Sequence, residues 1–114
     1  MYGLMGRMLA APGEREALLA IMLEGHAPMP GCRSYVIARD PKSEDGIWIT
    51  EVWDSKQAHT DSLQLPHVQA TIAKAKPIIA GFAEFIETEP LGGSCTAVPE
   101  TDTISIEPPW PTTS

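Results

Sequence analysis

The segment Tyr2–Ala10 (YGLMGRMLA) most constrains what this chain can fold into. It is short, ends before Pro12-Gly13, and carries apolar residues on both alternating phases: Tyr2, Leu4 and Met8 on one, Met5 and Leu9 on the other. Side chains of a strand alternate between faces, so this strand needs cover on both sides. With 114 residues and 43% hydrophobic content, the chain has length for one domain with a real core and little for a second.

The remaining elements follow from spacing and punctuation. Glu14 to Gly25 has helical periodicity, with Ala17, Leu18, Ile21 and Met22 on one stripe and two acids in the first turn, where the helix dipole favours them. After the Pro30-Gly31 turn, Cys32 to Arg39 is a second strand, with Tyr35 and Ile37 on one face and Ser34, Val36 and Ala38 on the other. Asp40 to Gly46 is a polar hairpin connection, and Ile47 to Trp53 a third strand. Asp54 is expected to cap a short helix, with Gln57 as its reciprocal capping-box partner. Pro66 suits the first position of a further helix bearing Val68, Ile72 and Ala75 on one side, limited by Pro77. Gly81 to Glu89 is a fourth strand, with Phe82 and Ile86 opposite Ala83 and Phe85. From Gly92 the composition turns to Pro, Ser and Thr, and only Thr103 to Glu107 alternates like a strand. The division is a domain at 1–91 and a tail at 92–114. The tail is either a loosely held terminus or a piece that adds to a sheet edge or a second subunit, with Trp110 as anchor.

Strand, helix, strand, strand, helices, strand is the order of an α+β, ferredoxin-like split β-α-β fold with a four-stranded antiparallel sheet. Helices of this number cover one sheet face only. The other face is expected to pack on a second copy, making a homodimer. The net charge of −7 repels phosphate backbones and argues against nucleic-acid partners. No apolar run approaches the roughly 20 residues that span a bilayer, and no leader pattern is visible at the start. Cys32 and Cys95 stand in no metal-ligand spacing and read as reduced thiols. The expectation is a cytoplasmic protein with no membrane partner.

The functional signal lies between Ile47 and Val68. A strand there ends at Trp53, and His59 and His67 follow at short range around one strand-to-helix corner. An indole and two imidazoles can wall a site for a small aromatic molecule, and either can equally serve packing or surface. Tyr35 is a candidate hydrogen-bonding partner, or a residue of the sheet face or subunit contact. His26, near a helix end, is expected to be solvated. The spacing of His26, His59 and His67 does not enforce metal binding. Met5, Met8, Met22 and Met29 suit an adaptable core.

Three stretches carry a resemblance to a known family: Pro30-Gly31-Cys32-Arg33-Ser34-Tyr35, then Glu51-Val52-Trp53-Asp54-Ser55-Lys56-Gln57-Ala58-His59, then Leu65-Pro66-His67. From about Tyr2 to Leu91 the chain resembles the antibiotic biosynthesis monooxygenase domain family, whose sheets pair into a dimeric α/β barrel. The resemblance implies oxidation of a phenolic, quinol or anthrone-like molecule by O2, with no metal, flavin or other cofactor. The chain departs from some members at Ser62, where a histidine is common. It departs from the anthrone-oxidising type at Ile49 and His59, where that type has asparagine and tyrosine. It has no asparagine at all, a residue on which haem-degrading members rely.

Cofactor-free oxygenation asks three things of a protein: to take a hydroxyl proton, to hold the resulting oxyanion, and to exclude water. The residues assigned to this work are His67 and Trp53 as proton-transfer and pocket groups, with His59 and Tyr35 binding substrate. The alternative is a non-catalytic, stress-associated or carrier barrel that binds a small molecule in the same place; haem binding ranks below both.

Overall fold

The computed structural model describes residues 1–93. The predicted strand at 103–107, Trp110 and Cys95 lie outside them. The elements run β1 (Tyr2–Ala10), α1 (Arg15–Gly25), β2 (Cys32–Arg39), β3 (Gly46–Trp53), α2 (Lys56–Ser62), α3 (Pro66–Ala75), a short 3₁₀ turn (Lys76–Ile78) and β4 (Ile79–Thr88). The four strands form one antiparallel sheet in the order β2-β3-β1-β4, with the doubly apolar β1 at its centre. This is the predicted ferredoxin-like α+β fold.

Register assigns the two faces. Met8 stands opposite Ile47, Gly6 opposite Ile49, Leu4 opposite Glu51, and Tyr2 opposite Trp53. These residues share the face that the helices cover. The core there joins Met8, Ala10, Ile47 and Ile49 to Leu18, Leu19 and Met22 of α1 and Ala75 of α3. Leu18 and Ile47 have no exposed surface. The buried stripe of α1 is rotated from the expected one: Leu19 is inside and Ala17 is exposed. Ile21 is only partly buried against the core. Met5, Leu9, Trp48, Val52, Val36 and Ile86 occupy the opposite face by register, the last two exposed.

Three local readings need correction. Ser55, not Asp54, caps α2: its hydroxyl accepts the Ala58 N–H at 3.1 Å. Gln57 instead reaches forward, donating to Asp61 Oδ1 at 2.7 Å. The third lies in β4, which begins at Ile79 and contains two register shifts against β1, one between Arg7 and Met8 and one between Leu9 and Ala10. Each bulge inserts a residue and resets the alternation. Phe85 therefore stands opposite Gly6 and Phe82 opposite Met8, both on the helix-side face rather than on opposite faces.

The β2–β3 loop is tied to the sheet by polar contacts. Arg7 Nε donates to Asp40 Oδ2 at 2.8 Å, and the Lys42 N–H to Asp40 Oδ1 at 2.9 Å. Arg15 Nη1 donates to the Ser43 carbonyl at 2.5 Å.

Candidate active site

A cavity of about 300 Å³ lies between the sheet and the helices. Met8, Tyr35, Ile49, Glu51 and Trp53 form its sheet side. Met22, His59, Ser62, His67, Val68 and Thr71 close it from the helices, and His26 and Met29 line it from the segment after α1. Leu63, Ile72 and Phe82, all substantially exposed, form its rim. The wall is dominated by aliphatic, Met and aromatic groups with a few polar ones among them, as small-molecule sites usually are.

Local sequence chemistry positions each polar group. Gly31 holds φ at 79°, and its carbonyl accepts the Asp54 N–H at 2.8 Å. A Cβ there would meet Ala58 Cβ at 2.8 Å, so glycine lets the start of β2 seat against α2. With α2 fixed, His59 turns inward. Its ring lies edge-on to Trp53, centroids 5.5 Å apart, and 5.8 Å from Tyr2. Pro66 opens α3 as predicted and places His67 in the first turn. His67 Nε2 is buried with no hydrogen-bond partner in the described structure. Gly25 ends α1 where any Cβ would collide with the Thr71 side chain, which brings α1 close against α3 above the cavity.

All four residues proposed from sequence, His67, Trp53, His59 and Tyr35, line this one cavity. Their surroundings differ. Trp53 is 1% exposed, and its indole N–H donates to Glu51 Oε1 at 2.9 Å. That donor is occupied, so Trp53 serves as wall and as a tether for Glu51. Tyr35 faces the helices, and burial raises its phenol above the usual range, with the negative charge of Glu51 adding to the effect. His26 is exposed as expected, yet its ring stacks on Tyr35, centroids 5.1 Å apart, and borders the cavity. Ser62 is buried, and its hydroxyl donates to the His59 carbonyl at 2.6 Å. Of the methionines, Met8, Met22 and Met29 line the cavity, while Met5 lies on the other sheet face.

Glu51 is the residue that sequence reasoning missed. It is 9% exposed and borders the cavity. Burial raises its carboxyl above the ordinary glutamate range, while the Trp53 N–H and the nearby His59 pull the other way. The Nε2 of His59 is 3.8 Å from Oε1, too long for a hydrogen bond and close enough for charge to be felt. A signal was present in the alternation of β3: Ile47, Ile49, Glu51 and Trp53 share one phase, and an acid in a core phase is anomalous. Among the described residues no three His, Cys, Asp or Glu side chains form a group suited to holding a metal ion.

Comparison with known proteins decides the family. The family model described as antibiotic biosynthesis monooxygenase matches residues 1–74. The chain belongs to the antibiotic biosynthesis monooxygenase family. A crystal structure from Chloroflexus aurantiacus J-10-fl bearing the same family description is 59% identical, with a TM-score of 0.77 over 81% of this chain and 94% of that one. Similarly described structures from Deinococcus radiodurans (22% identity, TM-score 0.67, 82% and 95% covered) and Caulobacter crescentus CB15 (19%, 0.72, 80% and 90%) share the fold. No curated protein matches the chain. The family match reaches from β1 into α3, so this antibiotic biosynthesis monooxygenase domain includes most of the cavity wall, and the Phe82 rim on β4 lies beyond it. No helix among the described residues is long and apolar enough to cross a membrane.

Proposed function

We propose that this chain is a cofactor-independent monooxygenase that oxidises a phenolic or quinol-type small molecule with O2 in the cytoplasm. The observation that carries the reading is the buried, unpaired Nε2 of His67 on the wall of a largely apolar cavity. A buried polar nitrogen without a partner is costly unless a ligand or water meets it. A substrate hydroxyl placed there meets a proton acceptor inside a water-poor site. Once deprotonated, an electron-rich ring can pass one electron to O2 and recombine with the superoxide at carbon. Loss of water from the resulting peroxide leaves the carbonyl product. Across the reaction the substrate loses two hydrogens and gains one oxygen atom, and the second oxygen atom leaves as water. His67 takes the hydroxyl proton, Tyr35 and His59 hydrogen-bond the substrate oxygens, and Trp53 closes one wall.

The sheet face opposite the helices is proposed as the contact with a second copy. Met5, Leu9, Trp48 and Val52 lie on it by register, and a monomer seldom leaves such a set uncovered.

The test is O2 uptake under air with naphthoquinols, naphthols and anthrones. His67→Ala should lower the rate about 100-fold while leaving the urea midpoint within experimental error. An equal rate in the two proteins overturns the role of His67, and no uptake with any of these substrates overturns the oxygenase reading. A second reading, a non-catalytic small-molecule binder, is favoured by one observation: the Trp53 N–H and the Ser62 hydroxyl already have protein partners. Thermal stabilisation by these compounds without O2 uptake would support it.

A further inference from the structure

The charges around the cavity are distributed unevenly. None of the eight Lys and Arg side chains borders it. Each arginine is engaged elsewhere: Arg7 with Asp40, Arg15 with the carbonyls of the β2–β3 loop, Arg33 with Asp54 at 2.5 Å, and Arg39 with Glu16 at 2.5 Å. Lys56 sits beside Glu87 at 3.2 Å, and Lys42, Lys74 and Lys76 are exposed. Of the acids among the described residues, only Glu51 lines the cavity, and it is buried. The other polar side-chain groups on the wall are hydroxyls, imidazoles and the Trp53 indole N–H.

We propose that this cavity selects an uncharged hydroxylated aromatic and rejects its carboxylated analogues, with Glu51 as the specificity-determining residue. An anionic ligand would lose its hydration in an apolar hollow, gain no arginine or lysine in return, and stand beside a carboxylate that has itself only partial compensation. The Trp53 N–H beside Glu51 is already committed to it. An uncharged ring bearing a hydroxyl avoids all three penalties and can still pair with His67 Nε2. The selection deepens the oxygenase reading by naming its substrate class, yet it concerns binding and is tested without turnover.

The experiment compares two ligands of equal shape and different charge, 5-hydroxy-1-naphthamide and 5-hydroxy-1-naphthoate, by isothermal titration at about pH 7.5, above the value at which a free imidazole loses its proton. Their hydroxyls are not para-conjugated to the carbonyl and stay protonated. The amide should bind about 100-fold more tightly. In Glu51→Gln that ratio should fall about ten-fold, because the like charge is gone while the missing cation is not replaced. Ile72→Lys, at the exposed rim, should raise naphthoate affinity about five-fold without touching the core. Equal affinity for the two ligands, binding of neither, or a ratio that Glu51→Gln leaves unmoved overturns the proposal. Tight amide binding with no O2 uptake on any hydroxynaphthalene leaves charge selection standing and removes the oxygenase reading, so the two failures are distinct.

Discussion

Two carboxyl groups are buried near opposite ends of β3, and the fold treats them differently. Asp40, 8% exposed, receives the Arg7 guanidinium at 2.8 Å and the Lys42 N–H at 2.9 Å. Those two contacts, the backbone one first, hold it below the ordinary aspartate range. Glu51, 9% exposed, has one indole donor and an imidazole just beyond hydrogen-bond reach, and burial holds it above the ordinary range. A matched carboxylate ties a loop to a sheet. An under-matched one at the edge of a cavity leaves its charge only partly compensated. Similar burial thus accompanies anchoring at one end of the sheet and a place on the cavity wall at the other.

The sharpest way to break this contrast is to remove the partner at the anchored end. Arg7→Met leaves Asp40 without its ion pair and should give the largest loss of stability of these variants, read as a clear fall in the urea midpoint. Ligand affinity of the folded protein should not move, since neither residue borders the cavity. A stability loss within error, or a parallel loss of affinity, would erase the division between the two ends. At the other end, Trp53→Phe removes the indole donor to Glu51 and some core volume. It should cost about 2 kcal/mol and, unlike Arg7→Met, also weaken binding of a naphthol in titration calorimetry. Unchanged binding would mean that Glu51 and its tether play no part in recognition.

Much of this was legible in the sequence, for identifiable reasons. Pro66, Pro30-Gly31 and the polar Asp40–Gly46 segment punctuate elements whose periodicity is unambiguous, so the order of strands and helices and the shared face of Tyr35 and Ile37 followed, while which face that was did not. The corner from Trp53 to His67 was legible because strand end, cap and proline all fall within a few residues. What was not legible depends on relations across the chain. The bulges that turn Phe82 and Phe85 to one face arise from pairing with β1 and have no local marker in β4. Ser55 rather than Asp54 is the cap because α2 starts at Lys56, one residue later than the sequence suggested, and the Asp54 carboxylate pairs with Arg33 at 2.5 Å. Glu51 was overlooked as a site residue although its phase announced it, because a charged group in a strand is ordinarily placed facing water.

The smallest effect expected is the most diagnostic, because it appears only over a defined pH range. A carboxyl whose folded value lies above its unfolded one destabilises the fold when ionised. Its effect is absent below the ordinary glutamate value of about 4.3 and sets in as pH rises from there through the raised folded value. Asp40 behaves oppositely: its contribution is complete above the ordinary aspartate value of about 3.9 and is lost as pH falls through its lowered one. Glu51→Gln can keep an acceptor for the Trp53 N–H and removes only the titration at that end. The variant should therefore match the parent in thermal melts near pH 4 and exceed it by about 3 °C near pH 7, while both lose the Asp40 contribution together on further acidification. A parent more stable than the variant at pH 7 would show Glu51 to be as well compensated as Asp40. The two buried carboxyls would then differ in position alone.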